Sequence, residues 1–269
     1  VTISPADFMG SAPAPLNGNT PWASRYAAEI RRVVTDHAAR APRSLQLYLG
    51  PSELGVECDR QVAGKMAGVP KTNHVMDPWP SIVGTAVHAW LADAFTAHNA
   101  RTGVLRWITE QRVTPHDNHP GTGDLYDAVE QTVGDHKVLG ESTLAKVRAA
   151  SGPPRKYQVQ LLLYALGFRR LGLPVRRVAL IAYPRTSSSL DGLYVWERPY
   201  TPADDELIAV VFQQTAHRQE LAKAIHAGQL RLEDVPPTPS SDECFFCPFY
   251  RPESSRDAGP GCPGTVRTA

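Results

Sequence analysis

The chain has 269 residues, enough to bury one full hydrophobic core, with or without a small annex. Apolar residues make up 42% and charged residues 20%, a globular balance, and no apolar run reaches the ~20 residues of a membrane helix. The formal net charge of +1 argues against binding polyanions through bulk charge and leaves a local basic groove open.

The N-terminus shows no basic segment followed by an apolar core, so no secretory signal is expected. The expected location is the cytoplasm. Arginine greatly outnumbers lysine, a bias that fits a GC-rich bacterial or phage genome.

Residues 1 to about 22 are rich in Pro, Ala, Gly, Ser and Asn and read as poorly ordered. Trp22–Ala39 alternates apolar and charged residues at helical spacing, so residues 1–45 form an extension that ends helically. Ser52 is the expected N-cap of the next helix, with Glu53 in its first turn. After the Pro-rich MDPWP, a helix with a stripe of Val83, Val87, Trp90, Leu91 and Ala94 is predicted, with His88 at its edge. The strand VLRWITEQRV follows, and then a hairpin running from Gly121 to Gly140. A helix from about Arg155 to Leu171 comes next. The strand VRRVALIAYPR, with LDGLYVWERPY as its hairpin partner, leads to a helix over Pro202–His226. That last helix should bury Leu207, Val210, Val211, Ala216 and Leu221. The tail from residue 236 is irregular and cysteine-rich. This order predicts an α/β core with a mixed sheet flanked by helices. No GxGxxG or GxxxxGK[ST] loop is present, which argues against nucleotide binding of those types.

The hairpin organises the chain. Asp124 lies on its first strand and Asp135, His136 and Lys137 on its second. Side chains alternate along a strand, so Asp135 and Lys137 share a face. Two carboxylates aimed at one spot are costly to hold together unless a cation sits between them. Hard oxygen donors suit Mg²⁺ or Mn²⁺, and a neighbouring lysine can stabilise charge that develops on a phosphate. The alternative is a solvated hairpin, but the triplet sits among Val133, Val138 and Leu139. Gln160 and Tyr164 are one helical turn apart and share a face, as hydrogen-bonding residues or as a helix with a buried tyrosine. Gln158 is the alternative to Gln160.

Gly121-x-x-Asp124 followed by Asp135-x-Lys137 resembles the PD-(D/E)xK nuclease core. Gln160-x-x-x-Tyr164 resembles the QxxxY motif of its RecB-like branch, and Gly84-x-x-x-His88 the histidine motif that precedes the core there. The resemblance covers Cys58 to Cys262 and implies a restriction-endonuclease-like core over residues 46–235. It implies that His88, Asp124, Asp135 and the backbone carbonyl of His136 ligate Mg²⁺ or Mn²⁺ and that Lys137 is the catalytic lysine, with Gln160 and Tyr164 assisting. Asp135 stands where many members have glutamate, and Val-Leu-Gly follows the lysine instead of the frequent Thr-Gly.

Four cysteines in a cytosolic chain point to a metal or cluster site. Cys58 lies upstream, and Cys244-x-x-Cys247 and Cys262 lie in the tail. This arrangement is similar to the [4Fe–4S] staple of the AddB nuclease domain and of the CRISPR-associated fourth-protein exonucleases; structural Zn²⁺ is the alternative. Arg60, Lys65 and Tyr157 are candidate DNA contacts. Lys71, Arg169, Arg170, Arg176 and Arg177 are further candidate basic lining, and Trp79, Trp90, Trp107 and Phe249 are stacking residues or core. The expected activity is metal-dependent DNA exonucleolysis on single strands or duplex ends, in recombination, repair or spacer processing. A helicase or recombination partner would be a separate chain. A structure-specific endonuclease and a non-catalytic DNA-binding iron–sulfur module are the other readings.

Overall fold

The computed structural model describes residues 21–40, 49–73, 77–116, 119–240, 243–252 and 261–264. The chain divides into two units, residues 1–45 and 46–269. In the first, helix α1 (Pro21–Arg40) buries none of its residues. Trp22, Tyr26, Ile30 and Val33 recur at helical spacing along it and are exposed. Trp22 stacks on Tyr26 with ring centroids 5.0 Å apart. Arg32 pairs with Glu29 and Asp36 one turn to either side, spacing at which helical charges meet. The segment expected to be poorly ordered falls largely within residues 1–20, outside the described residues.

The second unit is built on a five-stranded sheet in the order β1 (Trp107–Val113), β2 (Gly121–Asp127), β3 (Thr132–Leu139), β4 (Arg177–Pro184), β5 (Tyr194–Pro199). β3 and β4 run parallel, whereas the other neighbours are antiparallel, so the sheet is mixed. The hairpin and the mixed sheet flanked by helices are as the sequence pattern predicts. The parallel pair needs a crossover. It is supplied by α5 (Glu141–Arg148) and α6 (Arg155–Arg170), the first of which the sequence pattern does not separate out.

Helix α6 is the core helix, with Val159, Leu161, Leu162, Leu163, Ala165 and Phe168 all 1% exposed or less. Each large apolar side chain buried this way stabilises the fold by roughly 1.5–3 kcal/mol. Glycines let the helix lie close to the sheet. A Cβ on Gly123 would fall 2.6 Å from the Phe168 ring, and one on Gly167 would fall 2.6 Å from the Val113 side chain. On β1, α4 (Trp79–Thr102) packs through Phe95, His98 and Asn99.

Several expectations are corrected. Ser52 is not an N-cap: α2 (Pro51–Leu54) starts at Pro51 with Gly50 as its cap, and a separate α3 (Asp59–Met66) follows. The α4 stripe is shallower than predicted, because only Leu91 is buried and Trp90 is 69% exposed. On α7 (Pro202–His226) the inner face is Ile208, Val211, Thr215, Arg218 and Ala222, while Val210 and Ala216 are exposed. The two polar members explain the misplaced face. Arg218, 2% exposed, pairs with Asp59 at 2.7 Å and donates to the Leu54 and Glu57 carbonyls. The Thr215 hydroxyl donates one turn back to Val211 O at 2.7 Å. At the start of α7, Asp204 accepts from the Thr201 backbone N–H at 2.7 Å and from Arg198, which fixes where the helix begins.

Candidate active site

The two strands of the central hairpin separate. Their described pairing runs from Asp127↔Thr132 to Leu125↔Gly134 and stops. Beyond that point the Asp124 carboxylate enters the gap, and its Oδ2 accepts the His136 backbone N–H at 2.8 Å. A side chain thus replaces a main-chain acceptor and holds the fork open. Asp135 and Lys137 follow on the β3 arm, 2.6 Å apart between Oδ2 and Nζ.

The two helices close on the fork from opposite faces of the sheet. From α6, Gln160 donates to Asp135 Oδ1 at 2.9 Å and to the Tyr164 hydroxyl at 3.3 Å. Gln158 instead turns back to the Pro153 carbonyl. The Tyr157 ring lies 5.5 Å from the Lys137 ammonium, within cation–π range. From α4, His88 Nδ1 comes within 3.5 Å of Asp124 Oδ2. Gly84 has open space where a Cβ would be, so nothing steric in this structure requires glycine there. The fork therefore brings together His88, Asp124, Asp135, Lys137, Gln160, Tyr164 and Tyr157.

Electrostatics follow from this packing. Burial alone would raise the Asp124 carboxyl, but His88, Lys137 and the His136 N–H outweigh it and hold it below the usual carboxylate range. Burial likewise disfavours a charged His88, yet the Asp124 carboxylate raises it. Asp135 is 1% exposed, and burial, with Asp124 adding to it, pushes its carboxyl up to about 6 against the pull of Lys137. Lys137 is raised because Asp135 and Asp124 outweigh its burial. Burial lowers the His136 ring to about 4; that ring stacks on Phe95 at 5.7 Å and meets the Tyr183 hydroxyl at 3.3 Å.

The donor set fits a hard divalent cation. Asp135 is buried, with Gln160 on its Oδ1 and the Lys137 ammonium 2.6 Å from its Oδ2. The nearby donors are carboxylates and one imidazole, chemistry that suits Mg²⁺ or Mn²⁺.

No protein-family model matches the sequence, and no curated protein sequence matches it. Solved structures similar to this one include an alkaline exonuclease from Laribacter hongkongensis, at 12% identity and a TM-score of 0.45, covering 68% of this chain and 91% of that one. The same exonuclease in complex with dAMP aligns at 13% identity and 0.45, over 68% and 94%. A phage-related exonuclease from Haemophilus somnus 129PT aligns at 11% identity and 0.42, over 64% and 82%.

Sequence reasoning missed one residue at the fork, Glu110 on β1. Its carboxylate, His88 and Asp124 each place a donor atom within 4.8 Å of the others, the one such trio among the described residues. A lone glutamate on a half-exposed strand reads as a solvated charge, so the sequence gives no local signal for it.

The four cysteines form a second cluster. Cys58, at the N-cap of α3, lines one small cavity with Cys244, Cys247 and Cys262 of the tail. Thr238 N–H donates to Cys58 Sγ at 3.4 Å, Ser240 N–H to Cys244 Sγ at 3.3 Å, and Arg60 to Cys262 Sγ at 3.2 Å. Burial raises the Cys247 thiol to about 11. Four thiols around one cavity with N–H donors aimed at three of the sulfurs are a donor set that an iron–sulfur cluster and a structural zinc ion would both fit.

The expected DNA contacts fare unevenly. Arg60 is 8% exposed, and its guanidinium donates to the Val235 and Glu233 carbonyls as well as to Cys262, so it braces the cysteine cluster and is not free for a phosphate. Lys65 is paired with Glu53. Arg169 and Arg177 are paired with Asp205 and Glu197, and Arg170 donates to Thr114 O. Phe249 is 1% exposed in the apolar base of the cysteine cluster, whereas Trp79 is 59% exposed.

Proposed function

We propose that this protein is a metal-dependent deoxyribonuclease of the PD-(D/E)xK type that degrades DNA from single-stranded or duplex ends. The observation behind this reading is the fork, where the Asp124 carboxylate holds the β2 and β3 arms apart beside the buried Asp135 and its partner Lys137. His88, Asp124, Asp135 and the His136 carbonyl would hold Mg²⁺ or Mn²⁺. Such a cation offsets charge on a phosphodiester and lowers the pKa of water.

The chain's own residues prepare the rest. Asp124 is ionised at neutral pH because His88, Lys137 and the His136 N–H surround it. Lys137 stays charged beside the two acids and faces the phosphate with a fixed ammonium. Gln160 fixes the Asp135 carboxylate by bonding Oδ1, which leaves Oδ2 toward the site. Tyr157 borders the lysine and Tyr164 the glutamine, which makes Tyr157 the candidate ring for a base or sugar beside the scissile phosphate.

A [4Fe–4S] cluster on Cys58, Cys244, Cys247 and Cys262 would tie the tail to α3, as a structural element with no part in hydrolysis. The reading places the protein in the cytoplasm of a bacterial or phage-infected cell, with any helicase or recombination partner a separate chain. No helix among the described residues is long and apolar enough to cross a membrane.

The test is digestion of linear single-stranded and duplex DNA labelled separately at the 5′ and 3′ ends, beside circular DNA, with Mg²⁺ or Mn²⁺ and anaerobically purified protein. Nucleotide release from linear DNA with circles intact supports the reading. Cleaved circles would replace it with an endonuclease, and intact DNA throughout would leave a binding module.

A further inference from the structure

The side-chain alternation of β1 reverses once, at Glu110. Trp107 and Thr109 face α4: Trp107 packs on Phe95 with centroids 4.9 Å apart, and the Thr109 hydroxyl is 3.4 Å from that of Thr96. Val113 faces α6, where it limits Gly167. An unbroken strand puts positions 107, 109, 111 and 113 on one face, so the chain must reverse between 109 and 113. Glu110 has φ +48°, the left-handed region that a side chain other than glycine, Asn or Asp rarely adopts.

The paired strand reverses at the same level. Gly123 and Tyr126 both face Phe168 of α6, although an odd spacing separates them. The register Thr109↔Leu125 and Gln111↔Gly123 sets Glu110 opposite Asp124. Two coincident reversals thus direct two carboxylates toward His88.

We infer that Glu110 is a further protein ligand of the cation, binding it with His88 and Asp124 on the open side of the fork. The inference rests on the nuclease reading for the cation and goes beyond it in the ligand set and in the metal preferred. Glu110 is exposed where Asp124 and Asp135 are buried, so it would meet the cation from the solvent side. Outside this trio, the same locus already draws positive charge: Asp135 and Asp124 keep the Lys137 ammonium charged against its burial, 2.6 Å from Asp135 Oδ2. An imidazole together with carboxylates favours Mn²⁺ over Mg²⁺.

The test is calorimetric titration of Mn²⁺ into the full chain with its cysteine site loaded. Wild type, Glu110→Gln, Glu110→Gly and Asp124→Asn are compared, with a thermal melt of each metal-free protein. Glu110→Gln is expected to weaken Mn²⁺ binding about 10- to 100-fold with the Tm unchanged. Glu110→Gly should lose the same affinity while its Tm stays level or rises by up to about 4 °C, because glycine accepts the left-handed backbone. A residue that only shapes the strand would move Tm and leave Mn²⁺ affinity alone. If both Glu110 variants bind Mn²⁺ like wild type while Asp124→Asn does not, the inference is overturned and the nuclease site stands. If Asp124→Asn also binds like wild type, the cation site at the fork is wrong, and the inference falls with it.

Discussion

The acid fork and the cysteine cradle both gather metal-ligating side chains, and the chain holds them in opposite ways. Every proposed ligand of the fork stands on a regular element, α4, β1, β2 or β3. The cradle joins the start of α3 to a tail with little regular structure of its own. That tail is held by backbone bonds within itself, such as Cys262 N–H to Phe249 O at 2.7 Å, and by a few to the segment after α3, such as Thr72 N–H to Pro248 O at 2.9 Å. Its apolar base is small: Leu232, Cys247, Phe249 and Cys262. A site built on rigid elements can lose its ligand and keep its shape, whereas a site built from loop ends relies on the ligand to close it. The fork should therefore govern activity and the cradle stability.

The largest expected separation comes from Lys137→Met. Cleavage should fall about 10³-fold, since a preorganised charge at the reacting phosphate is removed. The Tm of the metal-free variant should fall, because losing one partner of a buried ion pair leaves the Asp135 carboxylate without its counter-charge, and adding Asp135→Asn should recover the Tm but not cleavage. Cleavage that returns with the Tm in the double variant would show that the fork is structural. Arg218→Ala comes next, read by denaturant unfolding. It should cost about 3–5 kcal/mol by leaving Asp59 and two carbonyls without their donor. Asp59 adjoins Cys58, so hydrogen exchange should quicken in α3 and the tail before it does in β2 and β3.

Cys58→Ser sharpens the contrast from the other side. The metal or cluster content should drop and stability should fall by about 2–4 kcal/mol, while cleavage per folded molecule stays within about twofold of wild type. The smallest effect is expected at the start of α7, away from both sites. Arg198 and the Thr201 N–H outweigh burial and hold the Asp204 carboxyl below its ordinary range. A lowered carboxyl stabilises the fold above the ordinary carboxylate pKa, and the gain is lost as pH falls through the folded-state value. Asp204→Asn should thus cost about 1–2 kcal/mol at pH 7, with the gap to wild type closing in acid.

The contrast also marks what the sequence could tell. The convergence of Asp124, Asp135, Lys137, Gln160 and Tyr164 was legible because local periodicity sets their faces and they lie within one stretch of about forty residues. The mixed sheet was legible for the same reason: each strand has its own pattern. Glu110 was hidden, since a reversal of alternation arises from two strands deforming together and leaves no mark in the TEQR around it. Arg60 was misread because its acceptors, Glu233 and Val235, come from more than 170 residues away. The α7 face was placed wrongly for a similar reason, since its inner arginine is satisfied by partners on α2, α3 and the link between them, far away in sequence.

The measurement that reaches the central claim most directly is cleavage of end-labelled single-stranded DNA by chelator-treated protein before and after Mg²⁺ or Mn²⁺ is restored, with Asp135→Asn beside wild type. The account predicts release of nucleotides only by wild type and only with the cation restored. Equal release by Asp135→Asn, or none by cation-restored wild type with an intact cysteine site, would contradict it.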